Sequence, residues 1–587
     1  MWVGYGQSLT GNSVEYAPYQ SAAARFSAVP PEDFQKAVQY FSGDEHSQGA
    51  EAVFRLVANH PAYRWLLWLY QHLPGFAAIT EFLYAFVAAH RDAGYRVTRI
   101  LWGKNPVRPS YRIASKAFSR AIALIYVIAF ASFGRQIRGL IGAQGIQPIA
   151  EFLSAVRQQF GSSAFWQAPT LFWWTQSEFG LLTIAWGGAV VAAVAAIGRP
   201  HTSGQKAAYV LLFMYYLSLV VGGQIFMGYQ WDYLLLEAGF LVIFLKPVLT
   251  RVWLFQWLLF RLMFESGAVK LLSHDMSWHN LTALAYHYTT QPLPTPLAWY
   301  MYQLPMWFQK MSTLFTFAVE LVLPFLIFGP RRLKQVVAFG TIFLETLILL
   351  TGNYTFFNLL TIALCLFLLD DALLLRLEYK PRSRKLKEPA SRRPLRTNAY
   401  VSGVLIVFVL IVSGTQLAAM FGFESPEFLR SAIARTAPFG LVNEYGLFAN
   451  MTTTRPEISI EGSNDGADWA PYVFRYKPGP LNRAPGWVAP GQPRLDWQMW
   501  FAALGNYREN PWLIRFMERL LEGSIPVLQL IDQNPFGGKP PKYIRAMVYE
   551  YRFTNYDERR QTGNWWKREL KGAYFPPVSL RANNPAQ

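Results

Sequence analysis

Apolar residues run along this chain in long, nearly unbroken stretches, and the polar residues collect between them. Nine stretches come close to the roughly 17 to 25 residues that a helix needs to cross a bilayer: 119–134, 180–198, 207–227, 233–249, 252–272, 311–328, 335–351, 354–375 and 399–420. Residues 1–118 are polar, with apolar helical patches such as YRWLLWLYQHL. From residue 421 the pattern changes: ISIEGSN, YVFRYKPG and YIRAMVYEYRFTNYDE are short β-branched and aromatic runs broken by Gly, Pro and Asn, which predict strands, and PWLIRFMERLLEG predicts a helix. The expected fold is a polytopic α-helical membrane protein with a C-terminal β-rich extracytoplasmic domain. Its expected parts are a cytoplasmic N-terminal segment at 1–118, a transmembrane bundle at 119–420 and the β-rich domain at 421–587. No repeat of solenoid period is evident.

Composition supports a membrane class. Charged residues make up 15% of the 587 and hydrophobic ones 52%, where about 25% charged is usual for a soluble domain. A single cysteine excludes an internal disulfide framework, and Cys365 lies in the apolar run LLTIALCLFLL, where it reads as a small buried hydrophobe. The start, MWVGYGQSLTG, has no basic region followed by an apolar core, so no cleavable signal peptide is expected.

Net charge is +18, yet its distribution argues against nucleic acid as a partner. Residues 376–398 hold nine basic residues against two Glu between apolar runs, the signature of a loop on the cytoplasmic side. Alternation then places Arg331, Arg332 and Lys334 on that side, together with Arg199, Lys206, Arg251 and the arginine-rich stretch 91–120. The N-terminus is expected inside and the C-terminal domain outside. Asn280, Asn353 and Asn450 begin N-x-T sequons, all outside in this topology.

Charges within apolar runs are the informative residues, because each costs about 2.5 to 3.5 kcal/mol at a helix centre on insertion scales. The fourth and fifth runs, YQWDYLLLEAGFL and RLMFESGAVKLL, carry Asp232, Glu237, Arg261, Glu265 and Lys270. A turn near residue 250 makes these two helices antiparallel neighbours, and Arg261 and Glu265 share one helical face. The five residues, with His279 and His287 of the following Pro-rich loop, form a candidate polar cluster, read either as charge-paired packing or as a polar site opening to the outer surface. Glu320 and Glu345 are further candidates for the same cavity. The spacing of His274, His279 and His287 matches no zinc pattern, so no metal is assigned; acid–base work or interfacial packing remain for them. No phosphate-binding loop, nucleophile elbow, HExxH or complete dinucleotide fingerprint is present, GLIGAQG lacking a preceding strand, and no cofactor is expected.

Seven segments in order resemble the lipase maturation factor family from about residue 119 to about 580. They are GYQWDYLLLEAGFL, RLMFESGAVKL, LTALAYHYTTQPLPTPLAWY, GNYTFFNLLT, NMTTTRPEISIEGS, QPRLDWQMWFAALG and PPKYIRAMVYEYRFT. The resemblance implies a polytopic protein, in eukaryotes of the endoplasmic reticulum membrane and in bacteria of the inner membrane, that helps secreted lipases reach an active fold. VEYAPYQ, GAEAVFRLV and RDAGYRVTRILWG resemble the later part of the thiol-disulfide oxidoreductase-like family known by its DCC motif. The paired cysteines of that family would precede Trp2, so the segment reads as a truncated thioredoxin-like remnant without catalytic residues.

The expected function is therefore a membrane-anchored maturation factor, with membrane lipids and a secreted client, of lipase type by the resemblance, as partners. The residues that would hold the client are the 277–305 loop and the domain 421–587, where Trp497, Trp500 and Phe501 supply either contact area or the domain's own core. The alternative is a membrane enzyme acting on a lipid-like or quinone-like substrate at the outer leaflet, with Glu265 or Glu237 as base and Lys270 or Arg261 stabilising charge.

Overall fold

The computed structural model describes residues 2–26, 29–103, 109–244, 248–377 and 396–580. The chain folds into two compact units. One comprises Met1–Ser110 with Phe328–Val336 and Asp370–Leu375; the other comprises Tyr111–Ile327, Val337–Leu369 and Arg376–Gln587.

In the smaller unit, strands β1 (Gln39–Ser42) and β2 (Glu45–Gln48) form an antiparallel hairpin, with Gln39 opposite Gln48. Helices Gly49–Ala58, Arg64–His72, Phe76–Ala89 and Arg91–Trp102 follow. Ser110 Oγ donates to Asp371 Oδ2 at 2.6 Å, and Arg331 pairs with Asp370, so the ends of two apolar helical segments belong to this unit.

Among the described residues of the whole chain, six helices are long and apolar enough to cross a membrane: Arg112–Gly134, Glu178–Ile197, Ser203–Gly222, Met306–Phe328, Arg331–Thr351 and Tyr400–Met420. Two bent pairs would raise the number to eight, Arg64–His72 with Phe76–Ala89 and Phe357–Leu368 with Asp371–Leu377. Each of the nine expected runs is largely helical, but three differ from a plain span, the run 354–375 being one of these bent pairs. Gln230–Ile243 has 14 residues, about 21 Å at 1.5 Å per residue, and Val248–Leu272 is long enough but carries Arg251, Arg261, Glu265 and Lys270. The basic loop 376–398 falls mostly on residues 378–395, outside the described residues.

Local chemistry explains the helix limits and their spacing in the larger unit. Ser177 and Thr202 cap the helices Glu178–Ile197 and Ser203–Gly222 by accepting from the backbone N–H of Gly180 and Gln205, each at 3.2 Å. Small residues let neighbouring helices approach: a Cβ on Gly188 would lie 2.4 Å from the Phe130 ring, and one on Gly239 would lie 1.8 Å from the Tyr126 hydroxyl.

The C-terminal region is mixed rather than purely β-rich. Strands β3 (Pro456–Ser463), β4 (Ala470–Pro471), β5 (Tyr543–Phe553) and β6 (Trp566–Val578) form an antiparallel sheet in the order β4-β3-β5-β6. Ile458 and Ile460 of β3 and Ile544 and Ala546 of β5 alternate onto one fully buried face, the period-two pattern of a one-sided sheet. The helix Pro511–Leu521 stands where its periodicity predicts. YVFRYKPG, at 472–479, forms only an isolated bridge between Val473 and Gln533, and its interior is an irregular turn. QPRLDWQMWF instead yields the helix Arg494–Ala503, packed against β3.

Candidate functional site

The seven residues of the expected cluster fall into separate arrangements, and the first is built on Asp232. Its carboxylate accepts from Tyr216 Oη at 2.6 Å and from both terminal nitrogens of Arg494, at 2.6 and 2.9 Å. Arg494 also donates to the Phe226 carbonyl at 2.9 Å and lies over the Tyr229 ring. Beside it Trp231 Nε1 donates to Gln492 Oε1 at 2.9 Å, so one turn of Gln230–Ile243 is bolted twice to the segment that starts Arg494–Ala503.

A second arrangement centres on Glu237 and Arg261, both fully buried and ion-paired. Glu237 Oε2 accepts from Asn443 N at 2.9 Å and Tyr445 Oη at 2.8 Å, while Arg261 Nη1 donates to the Asn443 carbonyl at 2.9 Å. Glu265 joins one helical turn below through Oε2, which accepts from Tyr445 N at 2.9 Å. Its other oxygen is buried without a hydrogen-bond partner among the described residues. Glu237, Arg261 and Glu265 are thus brought together, and the segment 443–445 ties them.

Lys270 belongs elsewhere. Its Nζ donates to both oxygens of Glu320 at 3.0 and 2.8 Å and to the Ser266 carbonyl at 2.9 Å, 5.4 Å from the Trp278 ring centre. Glu320 sits in a π-helical turn, Ala318–Val322, of a spanning segment. Glu345 accepts from Asn358 Nδ2 at 2.8 Å. His279 is exposed, with its ring 3.2 Å from the Leu271 carbonyl and Asp275 nearby. His287 lies 3.2 Å from Tyr354 Oη and edge-on to Phe448, and burial, with Lys270 nearby, pushes its imidazole down to about 4. Among the described residues no three His, Cys, Asp or Glu side chains converge as a metal site would need.

Partners that sequence reasoning did not single out are those of the C-terminal region. Arg455 pairs with Glu457 at 2.8 Å and donates to the carbonyls of Thr289 and Pro292, both at 2.8 Å. Asn353 accepts from the backbone of Val488 and Ala489 and donates to the Gly486 carbonyl at 2.8 Å. Its amide is fully engaged in the interior, so of the three sequons only Asn280 and Asn450 present an exposed side chain. Trp497 and Trp500 are buried, which assigns them to the core, whereas Phe501 is 43% exposed.

Two family models match in this order along the chain: the lipase maturation factor transmembrane domain over residues 113–376 and the lipase maturation factor C-terminal domain over 441–576. The chain belongs to the lipase maturation factor family. It is 34% identical to lipase maturation factor 2 of Homo sapiens over 598 residues, covering 80% of this chain and 83% of the relative. Lipase maturation factor 1 of Bos taurus is 33% identical over 498 residues, covering 78% and 88%. No solved structure matches. The family's transmembrane domain and the spanning helices make the chain an integral membrane protein. Both models begin after residue 112, and the DCC-motif likeness of the N-terminal segment rests on its sequence blocks alone. In this family member Asp232, Glu237, Arg261 and Lys270 of the fourth and fifth runs each sit in a buried ion pair, with Arg494, each other and Glu320 as partners, while Glu265 keeps one oxygen without a hydrogen-bond partner among the described residues.

Proposed function

We propose that this chain is a membrane maturation factor that brings secreted, lipase-type clients to their active fold, with the C-terminal region 421–587 and the 277–305 loop facing the client. The ordered match of both family domains carries the reading. In it, Asp232, Glu237, Arg261, Glu265 and Lys270 are positioning residues that hold the loop and C-terminal segments on the helices. Of the groups the membrane-enzyme alternative would use, Glu237, Arg261 and Lys270 are held in ion pairs, and Glu265 is buried with one oxygen on the Tyr445 N–H.

The finer topology belongs to the same proposal: nine crossings, residues 1–118 inside and 421–587 outside, in the endoplasmic reticulum membrane of a eukaryote or the inner membrane of a bacterium. One observation supports the orientation. Residues 1–110 share a compact unit with 328–336 and 370–375, and segments that pack together must lie on one side of a bilayer. Those are the segments that the basic residues place inside.

The test is co-expression of the full chain with a secreted lipase in cells lacking their own factor. A rise in lipase activity per mass of secreted lipase is expected, because a maturation factor changes the fraction folded. Unchanged specific activity with the chain present in the membrane overturns the reading.

A further inference from the structure

Helices Arg64–His72 and Phe76–Ala89 meet at 110°, and together they are as apolar as a membrane span. Neither has a buried residue among those described. A helix of this composition in a water-soluble domain turns its apolar stripe inward. Here the stripe points out: Ile79, Phe82, Leu83, Phe86 and Val87 are each more than half exposed, and Trp65 and Trp68 are 57% and 58% exposed.

The one acidic or basic residue of Phe76–Ala89 is turned away from that stripe. Glu81 accepts from the backbone N–H of Ala50 at 3.1 Å and of Glu51 at 3.0 Å, and from Tyr70 Oη at 2.9 Å. It thus caps the helix Gly49–Ala58 and joins the two sides of the bend, leaving the outward face without charge. Cations flank these helices along the chain: Arg64 opens the first, and exposed Arg96 and Arg99 stand on the next helix, whose Arg91 donates to the carbonyls of Gln35 and Lys36.

The same compact unit contains Phe328–Val336 and Asp370–Leu375, the first turn of the spanning helix Arg331–Thr351 and the end of an apolar bent pair. It is therefore tied to helix ends that lie at a membrane surface. We propose that residues 64–89 insert into the leaflet at that surface as an interfacial helical hairpin, with the arginines on anionic headgroups. Phe76–Ala89 has 14 residues, about 21 Å against the ~30 Å hydrocarbon, and it meets its neighbour at 110°, so the pair enters the leaflet as a bent hairpin and not as one straight span. The aromatic face of such a helix sits about 5–10 Å into the headgroup–acyl boundary, with Trp65 and Trp68 at the level that indole rings favour.

Spin labels test this in the purified full chain, reconstituted in vesicles of phosphatidylcholine and phosphatidylglycerol. Ile79→Cys and Phe82→Cys are labelled in a Cys365→Ala background, with Asp44→Cys in the exposed β1–β2 turn as reference. These side chains are exposed, so the substitutions remove no packing from the fold. At residues 79 and 82, collisions with dissolved oxygen should exceed those with a water-soluble nickel chelate, and the reference should show the reverse. Nickel collisions at Phe82→Cys equal to those at Asp44→Cys place the face in water and overturn the proposal. Exclusion of both reagents also overturns it, by showing the face covered by protein, whether a second copy or another segment.

Discussion

Arg494 closes both terminal nitrogens on the carboxylate of Asp232, 262 residues earlier in the chain, inside a layer of Phe133, Tyr216 and Tyr229. The pair ties the C-terminal region to the helix Gln230–Ile243. Both members are fully buried, so removing one strands the other in a medium where a lone charge is costly. Arg494→Ala should lower stability by about 3–5 kcal/mol, and Asp232→Leu with Arg494→Leu should recover part of the loss, because two apolar groups leave no charge unmet. Thermal unfolding of the purified protein in detergent reads both.

Glu237 and Glu265 lie on one network but should respond differently to loss of charge. Glu237 neutralises Arg261 and accepts from Asn443 and Tyr445, so Glu237→Gln leaves a buried guanidinium uncompensated and should cut membrane abundance and client maturation together. Glu265 uses one oxygen to accept from Tyr445 N, which a glutamine amide oxygen does equally well. Glu265→Gln should therefore keep abundance and client specific activity near wild type. A selective loss of activity at normal abundance would make Glu265 a reacting group and revive the enzyme alternative.

The helices of this chain are legible in its hydrophobic runs because bilayer length and apolarity leave few alternatives. The burial of charge at Asp232, Glu237 and Arg261 is equally legible, since an ionisable residue in such a run must find a partner. What the sequence hides is who the partner is. Antiparallel register puts Glu237 near residue 264 and so suggests Glu265 or Lys270 as its partner, whereas the ion pair it makes is with Arg261; Arg494 and Asn443 come from beyond residue 420, and nothing in their spacing points back to Asp232 or Glu237. Lys270 misleads for the same reason: register places it near Glu237, while the π-helical turn at Ala318–Val322 brings Glu320 within 2.8 Å. In the C-terminal region, β6 escapes because Trp566–Val578 is a charged, largely exposed edge strand with almost no period-two signal. YVFRYKPG misleads in the opposite direction, its β-branched and aromatic residues lining an irregular turn.

His287 gives a pH dependence with a defined sign. Its folded-state value, about 4, lies below its ordinary 6.5, with burial as the main cause and Lys270 second. The folded protein therefore binds fewer protons than the unfolded chain in that window, so stability is full above pH 6.5 and falls as the pH drops toward 4. The ring is partly open to solvent, which keeps the loss below the roughly 3 kcal/mol that the shift alone corresponds to. His287→Gln should flatten the dependence of the melting temperature on pH between 4 and 6.5.

Topology is tested by impermeant thiol labelling of intact cells. Asp468, exposed in the turn after β3, serves as the outer probe. In a Cys365→Ala background, Asp468→Cys should label in intact cells and Ser391→Cys only after permeabilisation. The opposite pattern would invert the orientation argued from the basic loops.

Deleting residues 421–587 should do more than remove the client-facing region. The cut takes Arg494 from Asp232, Asn443 and Tyr445 from Glu237 and Glu265, and Arg455 from the carbonyls of Thr289 and Pro292. Each remaining helix still satisfies its own backbone, so insertion survives, but buried charges that the deletion strands destabilise what is inserted. Membrane abundance should fall along with client activity, and the truncation alone therefore cannot assign the client surface. Trp487→Ala and Phe501→Ala separate the two effects, because these rings are 56% and 43% exposed and their loss leaves the buried pairs intact. Lower lipase specific activity at wild-type abundance in either variant would mark that aromatic as client-facing. Full activity in both, with the truncated protein inactive and scarce, would assign the role of 421–587 to holding the helices together.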